Sequence, residues 1–404
     1  MASLKEQFPF FAAHPNTVYL DSAATAQMPQ AVIDASVRYF SQQHASVGRG
    51  LYDEAVAATS AVEEARDAVR EFLHAPTTMD VIWTSSTTIA LNQLAWALQD
   101  TVTKGDTVVT FIDNHHANLI PWQRLATQTG AELHTVLITK TGEIDQKSWH
   151  EALQKSPRVV AFTHATNVTG IIHPVADLVR EAHAAGAYTV VDGAQAIAHT
   201  PTDLTKIGCD AYVFSSHKLY GPTGSGCLVA DHDFLNAAAP LLIGGGMINT
   251  VTTDSATWAE SPIRHEAGTP NSAGIAGTIA ALQWLTSNQK AIADHEHELV
   301  AYTHAALSVI PELTLIGPDT PDNRGGVFAF NLADRHAHDV AQVLADQHIA
   351  IRSGKHCTQP LHDFLGIPAS ARISIGAYTT KKDIDAAVAA LRTVLTTIPK
   401  RSNE

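Results

Sequence analysis

The stretch Pro174–Gln195, PVADLVREAHAAGAYTVVDGAQ, decides the fold class. Val175, Leu178, Val179 and Ala182 recur at i, i+3, i+4 and i+7, the spacing of one apolar face on a helix. Pro174 opens that helix and Gly186 stops it, which predicts a helix over Pro174–Ala185. The apolar run Ala187–Val191 follows at once and ends in Asp192, which predicts a strand buried on both faces. Working outward, similar runs occur at Asp80–Thr84, Thr107–Ile112, Glu132–Ile138, Arg158–His164, Ala211–Ser215 and Gly226–Ala230, alternating with amphipathic stretches. Strands alternating with helices predict an α/β fold, a large domain whose mostly parallel sheet is flanked by helices. After about residue 290 the pattern changes. A helix over Lys290–Val309 precedes strands at Leu313–Gly317, Gly325–Asn331, His348–Ile351 and Arg372–Gly376. A last helix starts at Thr380, where Thr380 and Asp383 have capping-box spacing. The expected division is an N-terminal arm over 1–20 packing with a smaller C-terminal α+β domain over 290–404, and a large domain over 21–289.

Composition narrows the function. The chain has 404 residues, ordinary globular proportions, and a formal charge of −14. An acidic chain without a basic cluster is a poor partner for a phosphate backbone, so nucleic acid is excluded as the main ligand. Three cysteines, Cys209, Cys227 and Cys357, cannot make a disulfide framework, and a reducing cytoplasm is expected. The most apolar stretch, Leu235–Ile248, is too short and too broken by Pro240 and glycines to span a membrane, and the N-terminus does not read as a signal peptide. The 22 histidines are the one oddity. They form no HExxH and no CxxC motif accompanies them, and His295-Glu296-His297 reads as a solvated helix face, so no metal site is assigned.

Several segments bring chemistry to strand ends, where α/β sheets bind ligands. Asp192 ends the strand of the opening stretch, although an Asp there also suits a turn or a cap. In Phe214–Gly226, FSSHKLYGPTGSG, Lys218 follows a strand and precedes a glycine-rich turn. The order is wrong for a P-loop, and a desolvated lysine suits Schiff-base chemistry. Lys218 and Asp192 together match the needs of pyridoxal phosphate, a lysine and an acid for the pyridine nitrogen. Trp83–Leu91, WTSSTTIAL, offers Ser85, Ser86, Thr87 and Thr88 at a helix start, a ready phosphate cradle or simply a good N-cap. His115 and His116 follow another strand, where an imidazole could stack on a ring and shuttle protons. In Ile349–Leu361, IAIRSGKHCTQPL, Cys357 follows Arg352, Lys355 and His356, and nearby cations favour a thiolate. Cys209 and Cys227 adjoin apolar strand positions and read as core thiols. Arg372 suits a clamp on a carboxylate, or a surface ion pair.

The segments Tyr19–Ala24 (YLDSAA), Asn114–Asn118 (NHHAN), His164–Gly170 (HATNVTG), Val191–Ala196 (VDGAQA), Ser215–Gly224 (SSHKLYGPTG), His265–Asn271 (HEAGTPN) and Arg352–Cys357 (RSGKHC) together resemble a cysteine desulfurase. The likeness is to the group II, SUF-type branch of the class V aminotransferase-like, fold-type I pyridoxal phosphate enzymes, and it runs in order over nearly the whole chain. It implies pyridoxal 5′-phosphate held by the large domain, with Lys218 as the residue that carries it. Asp192 would partner its ring nitrogen, Gln195 its phenolate oxygen, and His115 would stack on the ring as acid and base. Thr87, Thr88, Ser215 and His217 would bind the phosphate, with Thr269 from a partner subunit. Asn167, Arg372, Arg352 and Ala24 would contact the substrate, L-cysteine. Cys357, in the small domain, would accept its sulfur as a persulfide and pass it to a scaffold or activator protein for iron–sulfur cluster assembly. A homodimer is implied, and His336 and His338 lie where a histidine of relatives that use a zinc-bearing scaffold protein could reach that zinc, or simply begin a surface helix. Gly48-Arg49-Gly50 stands where the family usually has H-R-G, Ile89 replaces a polar residue, and Lys355-His356-Cys357 replaces H-H-C. A selenocysteine lyase or another class V enzyme is the alternative reading of the same cofactor site. A module that only binds would lack Lys218 or Asp192.

Overall fold

In the computed structural model, residues 4–398 are described. The seven strands of the large sheet are β1 (Met79–Thr84), β2 (Thr107–Phe111), β3 (Glu132–Val136), β4 (Val159–Thr163), β5 (Tyr188–Asp192), β6 (Ala211–Ser215) and β7 (Gly226–Asp231). They lie in the order β1-β7-β6-β5-β4-β2-β3. From β3 through β2, β4 and β5 to β6 the ladder is parallel, and only β7 runs against both its neighbours. Every residue of β2, β4 and β6 is buried, as expected of strands covered on both faces. Successive residues alternate between two apolar layers. Val109, Phe111, Val160, Phe162, Val191 and Phe214 belong to one layer, and Val108, Val159, Ala161, Val190 and Val213 belong to the other. The helix Val175–Ala184 packs into the first layer and the helix Thr87–Ala97 into the second. The carboxyl ends of the parallel strands open along one edge, and the strand order reverses between β2 and β4, the place where such sheets hold ligands.

A second, four-stranded sheet is antiparallel throughout. Its strands are β8 (Leu313–Ile316), β9 (Val327–Leu332), β10 (Arg352–Gly354) and β11 (Ser370–Ser374), in the order β8-β9-β11-β10. Its own apolar core joins the helices Ala337–Ala345 and Lys381–Thr397. The capping box at Thr380 and Asp383 forms as the spacing predicts.

Three sequence expectations need correction. The helix expected from Lys290 begins at Ser272 and runs 37 residues to Ser308, capped by the Asn271 side chain. Its first half is buried around much of its circumference, with Gly274 and Gly277 among the buried positions, so it shows no amphipathic stripe. Ile275, Leu282 and Leu285 pack in the large core and Leu299, Val300 and Leu307 in the small one. The expected boundary at 289/290 therefore falls inside a continuous helix. The strand expected over His348–Ile351 is split. Ile349–Ala350 pairs in parallel with Val18–Tyr19, and the chain then re-enters the small sheet as β10. Glu296 is not solvated: it is buried, its carboxylate is 2.9 Å from His199 Nδ1, and His295 Nε2 reaches Thr379 O at 2.7 Å.

The N-terminal arm touches both cores. Phe8, 1% exposed, stacks edge-on against Tyr220, Trp284 and Tyr378 with centroids 5.9, 5.4 and 4.9 Å away. Lys5 Nζ pairs with Asp383 at 2.8 Å.

Burial also sets the titration of several histidines. Desolvation holds His115 at about 3, His164 and His217 at about 4, and His356 at about 2. His116, His265, His304 and His362 are lowered for the same reason. His199 is raised, the Glu296 carboxylate more than offsetting its burial, and His232 is raised by its bond to Asp80.

Two outcomes are expected. Phe8→Ala lowers stability by about 3–5 kcal/mol, read as a fall in the urea midpoint; a loss below about 1 kcal/mol means the arm does not anchor the cores. Imidazoles with lowered pKa values take up protons in the unfolded chain first, so their contribution is present above about pH 6.5 and is lost as pH falls. His199, His232, Asp21 and Asp192 are raised and act in the opposite sense. The lowered set is the larger, so the urea midpoint of the cofactor-free protein should drop between pH 7.5 and 5.5. A flat or rising midpoint contradicts the assignment.

Candidate active site

A cavity of about 190 Å³ opens at the carboxyl edge of the large sheet, closed from the other side by the small one. Four strands of the large sheet, β2, β4, β5 and β6, and the turn after β1 deliver side chains to it. After β1, Ser86 caps the helix Thr87–Ala97, its Oγ accepting from Ile89 N–H. Thr87 N–H donates to Ser215 Oγ at 2.7 Å, and the two hydroxyls are 2.8 Å apart. The first-turn N–H of Thr88 has no partner among the described residues. That end of the helix is therefore rich in donors and favours an anion.

After β2 comes His115. Its Nδ1 accepts from Ala117 N–H at 3.1 Å, which leaves the proton of the neutral ring on Nε2. β4 leads to Ala165 and Asn167, and β5 ends in Asp192. Asp192 Oδ1 accepts from Ala194 N–H at 3.0 Å, and burial raises its pKa against the opposing charge of Lys218. Gly193 follows because a Cβ there would lie 2.1 Å from the Tyr212 ring. Gln195 donates to Ala23 O at 2.8 Å, beside Ala24. After β6, Ser215 and His217 precede Lys218. The Lys218 amine makes no hydrogen bond or ion pair among the described residues. Burial lowers its pKa, with Asp192 opposing. Desolvation thus pushes both groups toward neutrality while each restrains the other.

The small sheet supplies Arg352 and Arg372, and the loop after β10 supplies His356 and Cys357. Arg372 is 2% exposed; it donates to Asn167 O and to Asp21 Oδ1, each at 3.0 Å, and its Nε is unpartnered. Arg352 makes no hydrogen bond or ion pair among the described residues. The expected cationic setting of Cys357 changes in composition. Lys355 is spent on Asp363 at 2.8 Å, and His356 is kept neutral by burial with Nε2 on Ser370 O at 3.0 Å. Positive charge near the thiol comes instead from the Arg372 guanidinium. Cys209 and Cys227 are buried and their thiols are pushed up by desolvation.

The cavity thus gathers Lys218, Asp192, Gln195, His115, Thr87, Thr88, Ser215, His217, Asn167, Ala24, Arg352, Arg372 and Cys357. It does not gather Thr269, which lines a separate surface hollow with Tyr39, Phe40 and His44. Sequence reasoning missed Asp21 on Arg372, a pairing across 351 positions that no local pattern announces. It read His356 as one of the cations beside Cys357, whereas burial keeps that ring neutral. The donor set suits pyridoxal phosphate on structural grounds: an unpartnered amine, a buried carboxylate facing it across one cavity, and free donors at a helix start.

Comparison with known proteins agrees with this site. The aminotransferase class-V family profile matches residues 18–387. A cysteine desulfurase of Yersinia pestis (strain Pestoides F) is 41% identical over 397 residues, 97% of each chain. The apo structure of a cysteine desulfurase from Thermococcus onnurineus NA1 superposes with a TM-score of 0.93 at 33% identity, over 98% of both chains. A cysteine desulfurase from Escherichia coli does so at 0.87 and 36% identity, over 97% of both. Those families work with pyridoxal phosphate, and no helix among the described residues is long and apolar enough to cross a membrane. The chain belongs to the aminotransferase class-V family, in the company of its cysteine desulfurases.

Proposed function

We propose that this chain is a pyridoxal 5′-phosphate-dependent cysteine desulfurase that converts L-cysteine to L-alanine and keeps the sulfur as a persulfide on Cys357. The observation that carries the reading is that one cavity is lined by Lys218 and Asp192 from the large sheet and by Cys357 and Arg372 from the small one. When bound, the cofactor supplies an electrophilic carbon for amines and a ring that takes up electrons from the substrate Cα. Lys218 would hold it, with Asp192 at the ring nitrogen, Gln195 at the phenolate oxygen, and Thr87, Thr88, Ser215 and His217 around the phosphate.

The rest is done by protein groups. Arg372 and Asn167 bind the substrate carboxylate, with Arg352 as a free second guanidinium. Arg372 enters this task already oriented, since Asp21 and the Asn167 carbonyl fix two of its donors. Lys218, biased toward its neutral amine by burial, removes the Cα proton. Cys357 thiolate attacks the substrate sulfur. A sulfur–sulfur bond forms, the Cβ–S bond breaks, and its electron pair passes to Cβ, which is protonated; Lys218 returns the proton to Cα, giving alanine. His115, neutral with its proton on Nε2, is placed to donate rather than to carry charge.

The reading extends to a homodimer. Support comes from Thr269, which does not line the cavity of its own chain, and from the exposed apolar residues Phe40, Leu51 and Tyr52 on nearby segments. The persulfide would pass in the cytoplasm to an acceptor protein feeding iron–sulfur cluster assembly, which rests on the SUF-type resemblance.

The purified protein should be yellow and form alanine and sulfide from L-cysteine in the presence of a reducing thiol. Lys218→Ala should lose the covalently fixable cofactor and all turnover. Cys357→Ala should keep the colour, lose L-cysteine turnover by about a hundredfold or more, and still process L-selenocysteine, whose C–Se bond is weaker. Wild-type sulfide release by Cys357→Ala would remove the persulfide from the mechanism; a colourless protein that takes up no pyridoxal phosphate would end the enzyme reading.

A further inference from the structure

We propose that His116 is a positioning residue for Cys357, its ring and its backbone fastening the loop that presents the thiol to the cavity. The inference rests on the desulfurase reading for the role of Cys357 and adds how that thiol is held.

The loop is strained. His356 and Cys357 both have positive φ, 49° and 58°, in the left-handed region that non-glycine residues avoid. Such backbone persists only when its surroundings over-determine it. Besides the bonds of Lys355 to Asp363 and of His356 to Ser370, contacts from the large domain fasten it on either side of the thiol. Asn167 Nδ2 donates to His356 O at 2.7 Å. His116 N–H donates to Cys357 O at 2.7 Å, and Gln359 N–H donates to His116 Nε2 at 2.9 Å. One residue of the large domain thus grips the loop at Cys357 and again two residues on. Within the loop, Thr358 N–H closes a turn on Lys355 O at 2.8 Å.

The paired histidines divide the work by tautomer. His115 accepts at Nδ1 and so carries its proton on Nε2. His116 accepts at Nε2 and so carries its proton on Nδ1. The first lines the cavity; the second holds the loop that carries the nucleophile. Because they are adjacent on one turn after β2, the thiol is referenced to the same strand end as the proposed ring-stacking imidazole. A displaced thiol no longer meets the substrate sulfur in line, and small misplacements are costly.

The test uses the holoenzyme. His116→Ala removes the ring acceptor and leaves the backbone bond; His116→Gln returns an acceptor at nearly the same reach. His116→Ala should lower kcat for alanine formation from L-cysteine about tenfold or more, with KM within about twofold and the bound-cofactor absorbance unchanged. Alkylation of Cys357 by iodoacetamide, followed by peptide mass, should be faster than in wild type. His116→Gln should restore both. In the Cys357→Ala background, His116→Ala should have no further effect on residual turnover. Normal dependence on Cys357 with a silent His116→Ala, an equal loss in the Cys357→Ala background, or no rescue by His116→Gln overturns the inference alone. Full turnover by Cys357→Ala alone overturns the desulfurase reading and this inference with it.

Discussion

Burial of the Lys218 amine in one cavity with the Asp192 carboxylate is the constraint on which the rest of the site depends. Desolvation opposes charge on both groups, and their mutual attraction only partly offsets it. A fold holds such a pair at a cost, and here it does so at the ends of adjacent parallel strands, β5 and β6. Those strand ends cannot move independently, because every residue of β6 and four of five in β5 are buried between two apolar layers. Rigidity of the sheet is thus what keeps an unpartnered lysine from turning to solvent, its usual fate.

The second constraint is that half of the chemistry comes from elsewhere in the chain. Arg372 and Cys357 are carried by the small antiparallel sheet, and they face the large one only if the two cores keep a fixed relation. The helix Ser272–Ser308 contributes to both cores. The arm adds Phe8 to the large core and Lys5 to the last helix. Asp21, just beyond the arm, bridges to Ser374 and pairs with Arg372. The same N-terminal segment that ties the cores together therefore also orients the guanidinium proposed to take the substrate carboxylate.

Much of this was legible in the sequence, for a physical reason. Strand ends in a parallel sheet are announced by apolar runs that stop at Asp192, Ser215 or Asp113, so the large-domain half of the site follows from local pattern. The long helix was read only from Lys290 because its first half, buried on several faces, has no stripe to detect. The strand at His348–Ile351 was read as one because its break depends on pairing with Val18–Tyr19, far away in sequence. Asp21 on Arg372, Asn167 on His356 and His116 on the Cys357 loop share that character. Each is a contact between distant segments whose residues look ordinary in their own neighbourhoods.

The use of histidine at the site follows from the same physics. A neutral imidazole is one of the few side chains that can be buried at a strand end and still both donate and accept. His115 and His356 sit where a lysine or arginine would bring charge into competition with Lys218 and Arg372. Burial keeps His115 and His356 neutral near pH 7, so they add hydrogen bonds without adding to the field at the thiol. The positive potential there then comes from Arg372, the group proposed to take the substrate carboxylate. Replacing a neighbouring neutral histidine by a permanent cation would raise that potential, further depress protonation of Lys218, and leave a buried charge unpaired. Neutral donors and acceptors let one cavity hold a cationic clamp, a basic amine and a thiol without forcing any of them to answer for its neighbours.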